Sequence, residues 1–579
     1  MRIGSYKIGI GFKKVVKLAM GDKKKFYDTI DFLLLATIFI LLNVISTQYF
    51  FRIDLTEEKR YTIADASKNI LQSLDDIVYV EIYLDGDLPP GFKRLQRSIR
   101  ETLDEFRIYA GANVQYKFID PTDEDNLQLK NKMMTQLAQK GVQPTNLFAT
   151  EKGKQTEKLV FPGAIISYKG MEQSVVFLKG ASGVSPAEVL NQSVEGVEFE
   201  LISTFRKLAK PISKRVGIVQ GHGEADGVVL DELYQYLKES YAYDRIKLAD
   251  FQELSSNFDI LIIVQPTKYF SEADKLKIDQ FVVKGGRILL FIDKAEIKTD
   301  RLGTDQSLAG VLDLNLDDLL FKWGIRVNND IIQDMQSGVL PMVTGMLGDK
   351  PQTQLMPWRY YPLQTQFGKH PLVKNMGAIM GKYVSSIDTV KAQNIAKIPL
   401  VFTSKYRRII SLPAQIELES ARKQPEPSEF NGNVLTTGIL LEGRFKSLYL
   451  NRLSQQKQDS IQFKVQDLPS KIIVFSDGDM MKNDLAADGK QIYPMGFDRY
   501  LGKKFANKDL IVNALTYLSD DNGIINIRLK EVKLRPLDRT KIKEERQKWQ
   551  MINVVVPVLV IVLVGIFKFN YRRRKYGTK

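Results

Sequence analysis

The chain has 579 residues, with 83 Lys plus Arg, 68 Asp plus Glu, two His and no Cys. This length predicts several domains, and the lack of Cys excludes disulfides, thiolate metal sites and cysteine nucleophiles. Most of the net charge of +15 lies at the two ends: residues 1–31 carry 8 basic and 3 acidic side chains, and residues 568–579 carry 6 basic and no acidic ones. The nearly balanced remainder argues against a nucleic-acid-binding groove.

Each basic end borders an apolar run without acidic or basic residues, Phe32–Phe51 and Trp549–Phe567. Because about 20 helical residues cross a bilayer core, the sequence predicts two transmembrane helices. A signal peptide is disfavoured for the first run, since about 30 residues precede it and no clear cleavage site follows. The positive-inside rule then predicts a two-pass membrane protein, with residues 1–31 and 568–579 in the cytoplasm and residues 52–548 outside the cytoplasmic membrane.

Residues 52–210 are predicted to form a membrane-proximal domain. Apolar periodicity predicts, in chain order, helix Ser67–Leu74, strand Val78–Leu84, helix Phe92–Tyr109, strand Val114–Ile119, helix Asn126–Lys140, hairpin Val160–Tyr168 with Gln173–Leu178, and helix Val194–Leu208. The order β-α-β-α-β-β-α is thioredoxin-like. Without Cys-x-x-Cys the domain lacks the chemistry for disulfide exchange, so we expect a docking or spacer role.

Residues 211–540 are predicted to form a Rossmann-like or flavodoxin-like α/β domain. The predicted elements are strands Arg215–Gln220, Asp259–Val264, Arg287–Ile292, Ile398–Thr403, Val434–Leu441 and Lys471–Phe475, and helices Val228–Leu237, Glu272–Lys284 and Lys508–Leu518. Residues 341–371, with five prolines, and the polar loop Arg422–Ser428 are predicted to be insertions over the sheet rather than separate domains. Residues 541–567 would be the juxtamembrane segment and the second span.

The first candidate site follows strand Arg215–Gln220 and consists of Gly221, His222, Gly223 and Glu224. Gly-x-Gly before a helix resembles the start of a dinucleotide-binding motif, but Asp226 occupies the third glycine position and would repel a pyrophosphate. His222 and Glu224 are a possible acid–base pair. The alternative interpretation, a tight glycine turn that begins a helix, is favoured because the motif is incomplete.

Further candidates are Asp477 and Asp479, which follow strand Lys471–Phe475 and could bind a hard cation. A turn that ends the strand is the favoured alternative. The cluster Trp358-Arg359-Tyr360-Tyr361 is a candidate interface, since aromatic residues and Arg are enriched in contact surfaces, or it packs on its own domain. An all-histidine zinc site within one chain is excluded, because His222 and His370 are the two histidines and there is no Cys. No cofactor or resident metal is expected. The nucleotide-binding pattern G-x-x-x-x-G-K-[ST] is absent from the sequence.

The chain resembles the gliding-motility members of the ABC-transporter auxiliary family over nearly its whole length. The resemblance rests on residues 52–62 after the first apolar run, Gln220–Glu224, Ile260–Val264, Gly285–Asp293, Phe475–Asp479 and Asn507–Leu518, and on the apolar run and basic tail at the C-terminus. It implies an α/β unit similar to class I glutamine amidotransferases. Their chemistry needs a Cys nucleophile, so such a site would be inactive here.

The resemblance also implies a non-enzymatic auxiliary subunit that works with an ABC permease and a separate cytoplasmic ATPase in gliding bacteria. Such a subunit would lie in the bacterial inner membrane with residues 52–548 in the periplasm, where they would bind a small-molecule substrate, a periplasmic protein or the permease. Two other functions remain open. One is an envelope scaffold or receptor that acts independently of transport, and the other is a periplasmic hydrolase that uses His222 and Glu224.

Overall fold

A computed structural model of the chain describes residues 23–48, 62–123, 126–151, 154–178, 185–209, 214–297, 307–460, 462–486, 489–530 and 539–576. The helices are α1 (Lys23–Gln48), α2 (Asp65–Gln72), α3 (Pro90–Ala110), α4 (Leu127–Gln139), α5 (Pro186–Ala209), α6 (Asp231–Ser240), α7 (Glu272–Val283), α8 (Asp317–Trp323), α9 (Gln455–Ser460), α10 (Asn507–Ser519) and α11 (Arg539–Tyr576). Helix α1 belongs to one unit of the chain, and the described residues from Ile63 onward belong to a second.

The main strands are β1 (Val78–Ile82), β2 (Val114–Phe118), β3 (Thr145–Glu151), β4 (Lys154–Val160), β5 (Gly163–Tyr168), β6 (Met171–Val176), β7 (Arg215–Gln220), β8 (Ala242–Lys247), β9 (Ile260–Val264), β10 (Arg287–Phe291), β11 (Ala295–Glu296), β12 (Ser307–Val311), β13 (Ile325–Val327), β14 (Asp330–Asp334), β15 (Ser337–Leu347), β16 (Lys350–Gln364), β17 (Gln366–Phe367), β18 (Ile379–Met380), β19 (Ile387–Thr389), β20 (Ile395–Phe402), β21 (Arg407–Ser411), β22 (Ala414–Ile416), β23 (Thr436–Gly443) and β24 (Ser470–Phe475). Two-residue strands follow at Asp484–Leu485, Ile492–Tyr493, Phe497–Asp498 and Lys503–Lys504.

The first sheet has the order β2-β1-β5-β6. Strand β1 pairs in parallel with β2 and antiparallel with β5, and β5 and β6 form the predicted hairpin. Its turn residues Lys169 and Gly170 have φ of 49° and 78°, as a two-residue hairpin turn requires. A second hairpin, β3–β4, was not predicted. Its strands are too polar to show the apolar alternation of a half-buried strand.

The second sheet contains five parallel strands in the order β24-β10-β9-β7-β8. Numbered along the chain this is 2-1-3-4-5, one of the doubly wound orders. Strand β23 joins β24 antiparallel and extends the sheet towards β19, β20 and β13. The carboxyl ends of β7, β9, β10 and β24 therefore lie at one edge, where ligands of such sheets bind.

Two apolar cores cover the two faces of this sheet. Alternate residues of β9 face opposite cores, with Ile260, Ile262 and Val264 in one and Leu261 and Ile263 in the other. This explains why β9 is a continuous apolar run. The first core also contains the apolar side chains from one face of the four-stranded sheet, so both sheets share one hydrophobic core, while Ile165 on the other face belongs to a smaller cluster.

Most of the predicted insertion at residues 341–371 forms the hairpin β15–β16, whose strands were not predicted. Pro341 and Pro351 lie within its ladder. Their missing N–H groups are tolerated because the outer part of the hairpin is a two-stranded ribbon, in which each strand has an open edge. Sequence rules that treat clustered prolines as loop signals therefore fail here.

Within the described residues, the segment Glu544–Lys575 of α11 is long and apolar enough to cross a membrane, and its side chains are exposed. It contains the predicted span Trp549–Phe567. Helix α1 holds a shorter apolar stretch, Thr29–Leu41. The last three residues of the predicted first span, 49–51, lie outside the described residues. The prediction of two spans is therefore supported for one of them by length and composition.

Candidate functional site

The loop after β7 is held by contacts to the segment that follows β9. The carbonyl of His222 accepts hydrogen bonds from the backbone N–H groups of Thr267 at 2.9 Å and Lys268 at 2.7 Å. Gly223 has φ of +74°, and a Cβ at this position would lie 2.1 Å from Oγ1 of Thr267. Gly223 is thus required by both its backbone conformation and a close approach.

The side chain of His222 lies between two carboxylates. Its Nδ1 is 3.1 Å from Oε1 of Glu224, its Nε2 is 3.3 Å from Oδ2 of Asp274, and its ring stacks on Phe270 with centroids 3.8 Å apart. His222 and Glu224 are 8% and 9% exposed. Burial opposes a charged imidazole, but the hydrogen bonds to Glu224 and Asp274 outweigh it and raise the pKa of His222. The contact between His222 and Asp274, in the first turn of α7, therefore holds the loop at the N-terminus of this helix.

Asp226, which occupies the third glycine position of the incomplete motif, is engaged by its own domain. It accepts hydrogen bonds from the backbone N–H of Gly227 at 2.7 Å, from the hydroxyl of Tyr234 at 2.6 Å and from Arg245 at 3.0 Å. These contacts fix a carboxylate in the loop that would have to approach a dinucleotide phosphate, and phosphate and carboxylate repel each other.

Asp477 and Asp479 lie in a different cluster at the same sheet edge. Asp477 is fully buried and accepts hydrogen bonds from the backbone N–H groups of Lys382 at 2.7 Å and Asp479 at 2.8 Å. Asp479 forms an ion pair with Lys482 at 2.6 Å. The six predicted loop residues therefore fall into two groups. The loop Gly221–Glu224 contacts α7 through His222, whereas Asp477 and Asp479 contact Lys382 and Lys482.

A third carboxylate, Asp293, completes this cluster and was not predicted. It follows β10 and accepts hydrogen bonds from the backbone N–H of Gly478 at 2.6 Å and from Gln265 at 2.7 Å. Burial, and next the charge of Asp479, raise the pKa of Asp293 to about 6. Burial and the charges of Asp479 and Asp293 also raise the pKa of Asp477. The rule that selected Asp477, a polar residue at the carboxyl end of a parallel strand, also selects Asp293.

Asp293 and Asp479, but not the buried Asp477, border a cavity of about 380 Å³ at the carboxyl edge of the sheet. Its floor comes from the strand ends, and its walls come from the hairpin β15–β16 and from residues 380–383 and 497–500. Both charges and aromatic rings line it, including Asp293, Asp479, Lys382, Lys482, Arg499, Tyr361 and Tyr500. Among the described residues, no group of three or more His, Cys, Asp or Glu side chains has the arrangement of a metal site. The cavity can hold a small polar ligand or a protruding side chain of a partner.

The predicted interface cluster is largely internal. Trp358 and Tyr360 are 1% and 3% exposed and belong to a core with Met342 and Tyr383. Arg359 donates hydrogen bonds to the carbonyls of Ser420 and Lys423, both at 3.0 Å. The candidate interface at these residues is therefore corrected: the two rings pack on their own domain, and Tyr361 lines the cavity.

His370 is remote from this chemistry. Its Nδ1 accepts a hydrogen bond from the backbone N–H of Leu372 at 3.3 Å, and its ring packs edge-on against Tyr517. Burial lowers the pKa of His370. The residue caps a short 3₁₀ turn at Pro371–Val373.

The fold and the cavity define an α/β protein with a C-terminal helix suited to a membrane. The chain belongs to the family described as "ABC-type uncharacterized transport system", whose profile matches residues 213–514, just over half of the chain. Residues 57–167 match a domain of unknown function, DUF7088.

Two similar proteins add context. An uncharacterized protein of Borreliella burgdorferi is 21% identical over 576 residues, covering 95% of this chain and 99% of its own. The structure of the mmIFT52 N-terminal domain aligns with 53% of this chain and 98% of its own at 13% identity, with a TM-score of 0.30.

Proposed function

We propose that this protein is a non-catalytic, membrane-anchored auxiliary subunit of an ABC transport system, and that it works beside a permease and a separate cytoplasmic ATPase. The observation that carries the proposal is the family match over residues 213–514. The sequence contains no G-x-x-x-x-G-K-[ST] motif, so ATP would be hydrolysed by the partner.

The contacts of His222 support the non-catalytic part of this proposal over a hydrolase. A general base needs a ring nitrogen within reach of substrate. Both ring nitrogens of His222 are within hydrogen-bonding distance of carboxylates, and the ring is buried against Phe270. The loop therefore serves to hold β7, β9 and α7 together.

The cavity at Asp293 and Asp479 is the proposed binding site for the transported substrate or for a periplasmic partner. It lies where doubly wound sheets bind their ligands, and its lining offers charges of both signs beside aromatic rings. The domain boundaries of this proposal are residues 52–210 for a thioredoxin-like domain and residues 211–540 for a Rossmann-like, amidotransferase-related domain.

The proposed topology has two spans, α1 and α11, with both ends of the chain in the cytoplasm and residues 52–548 in the periplasm. The chain has no Cys, so single cysteines can be labelled cleanly. In cells whose outer membrane is permeabilised but whose inner membrane is intact, an impermeant maleimide should label Ser256→Cys, an exposed position between β8 and β9. It should label Ser5→Cys and Thr578→Cys after lysis. Labelling of either terminal cysteine in intact cells would refute the two-pass arrangement.

Co-purification tests the partnership directly. The full chain, extracted in mild detergent, should bring down a permease and an ATPase that carries the nucleotide-binding motif. His222→Ala should retain both partners and support transport, since the proposed role of His222 is structural. A variant that folds and binds both partners but no longer supports transport would instead support the hydrolase. Repeated isolation of this chain without a permease or ATPase would favour an envelope scaffold or receptor.

The narrower role of the gliding-motility auxiliary protein GldG rests on sequence resemblance. Deletion of the gene should then abolish surface spreading in a gliding host, and inactivation of the partner ATPase should cause the same defect. A motility defect that persists unchanged with or without that ATPase would contradict a transport role.

A further inference from the structure

The two ends of the periplasmic body meet at one side chain, Glu198 of α5. Ala64 and Ser67 lie at the start of α2, the first helix described after α1. Lys530 follows a 3₁₀ helix at Ile524–Leu529 and is the last residue described before α11. In sequence, residues 64 and 530 are far apart; in the structure, both contact the same carboxylate.

The contacts at Glu198 are short and enclosed. Its Oε1 accepts hydrogen bonds from the backbone N–H of Ala64 at 2.7 Å and from Oγ of Ser67 at 2.8 Å. Its Oε2 lies 3.1 Å from Nζ of Lys530. Glu198 is 5% exposed and Ser67 is fully buried. Charge-assisted hydrogen bonds in such surroundings are stronger than bonds between neutral groups, so one carboxylate fixes both segments.

A second set of contacts holds the 3₁₀ helix against the neighbouring part of α5. Ile524, Ile525 and Ile527 are buried in the shared core. The guanidinium of Arg528 lies 5.1 Å from the ring centroid of Phe199, the neighbour of Glu198. Lys530 therefore directly follows a 3₁₀ helix that is packed on the core and on α5. A displacement of the chain at Lys530 would have to break these contacts.

We propose that Glu198 couples the two membrane-linked ends of the chain, so that a displacement at one end reaches the other through α5. We call Ala64, Ser67, Glu198 and Lys530 the Glu198 junction. The inference rests on the proposed function in one respect: both ends lead to membrane spans. In that arrangement, a displacement of either span would reach the body through residue 63 or residue 530, and the Glu198 junction would transmit it to the other end.

Hydrogen–deuterium exchange of the detergent-purified full chain tests the junction, because residues 63–70 and 524–530 give separate peptides. Glu198→Ala should accelerate exchange in both segments by about tenfold or more, since each loses a charge-assisted contact and opens more often. Glu198→Gln keeps an acceptor for Ala64 and should have a smaller effect. Glu188→Gln, an exposed position on the same helix, is the matched control and should change neither peptide.

The decisive experiment changes one end and measures the other. Lys530→Met should accelerate exchange in residues 63–70, and this effect should vanish in the Glu198→Ala background, as a double-mutant cycle requires of a shared contact. If Lys530→Met alters only residues 524–530, or if its effect persists without Glu198, the inference is overturned. These results are independent of permease binding and of label topology, so failure of the proposed function would be recognised separately.

Discussion

At the scale of single residues, buried carboxylates in this protein hold the backbone of neighbouring segments. Asp330 and Asp334 each bind the backbone N–H and the hydroxyl of one serine, Ser386 and Ser404 respectively. Asp477 likewise binds two backbone N–H groups. Since a buried carboxylate needs such donors to offset desolvation, most of these acids are structural, and Asp293 and Asp479 differ because they also border a cavity.

Asp293 makes stability depend on pH with a defined sign. Its folded pKa of about 6 lies above the usual value of 3.8, so the native state binds the extra proton and loses stability as pH rises between these values. The free energy of unfolding of Asp293→Asn should therefore fall furthest short of the wild-type value below pH 4. By pH 7 the variant should recover about 1 kcal/mol or more of that difference. Thermal unfolding of the full chain across this range measures the difference; a constant difference would contradict the assignment.

The contribution of His222 to folding stability should change with pH in the direction opposite to that of His370. Its raised pKa means that its contribution is fully present below about pH 6.5 and is lost as pH rises through the folded pKa. We expect His222→Gln to cost about 1–3 kcal/mol at pH 6 and less at higher pH. His370, whose pKa is lowered, is the control: the cost of His370→Gln should shrink as pH falls. Thermal midpoints of both variants at several pH values test this.

Two glycines of the β7 loop separate backbone strain from steric overlap. Gly223 and Gly227 have φ of +74° and +71°, but an added Cβ overlaps Thr267 only at Gly223. Gly227→Ala should cost about 1 kcal/mol, and Gly223→Ala clearly more. Thr267→Ala should recover part of the Gly223→Ala loss, as measured by thermal unfolding. Equal costs for the two glycines would show that the overlap is relieved by local movement.

At the scale of elements, the sequence predicted the buried parallel strands best. Strands such as β9 are unbroken apolar runs because both faces are covered, and this pattern is specific. Hairpins β3–β4 and β15–β16 were missed because their exposed strands carry polar residues and prolines. The candidate site follows the same division. Asp477 and Asp479 were predicted at a strand end, whereas cavity walls such as Lys382 and Arg499 come from insertions whose position depends on tertiary packing.

The outer part of hairpin β15–β16 should be dispensable for stability. Replacement of residues 343–353 by an Asn-Gly turn between Met342 and Gln354, which are paired, shortens the ribbon with a favoured turn. Most of the removed side chains are exposed, so the thermal midpoint should change by about 2 °C or less. Trp358→Ala at the buried base is the contrasting variant and should cost about 3–5 kcal/mol. A large loss on trimming would show that the tip packs on the body.

At the scale of the whole molecule, the uneven charge of the sequence agrees with two membrane-proximal ends around a nearly neutral body. If the proposed topology with two spans is correct, deletion of residues 539–579 should leave the chain in the membrane after alkaline carbonate extraction, because the proposed first span, residues 32–51, remains. Deletion of residues 1–51 should likewise leave it anchored by α11, and only the double deletion should release it. Release after either single deletion would indicate one span.

The core that the two sheets share has a mechanical consequence. Side chains from β1, β5 and α5 lie in the same apolar cluster as those of β7, β9 and β24, and a core of this kind resists bending at any plane between the sheets. The body should therefore melt in one cooperative transition and tilt as a rigid lever. A tilt that starts at the Glu198 junction would change the direction in which the whole cavity faces, without opening or closing it.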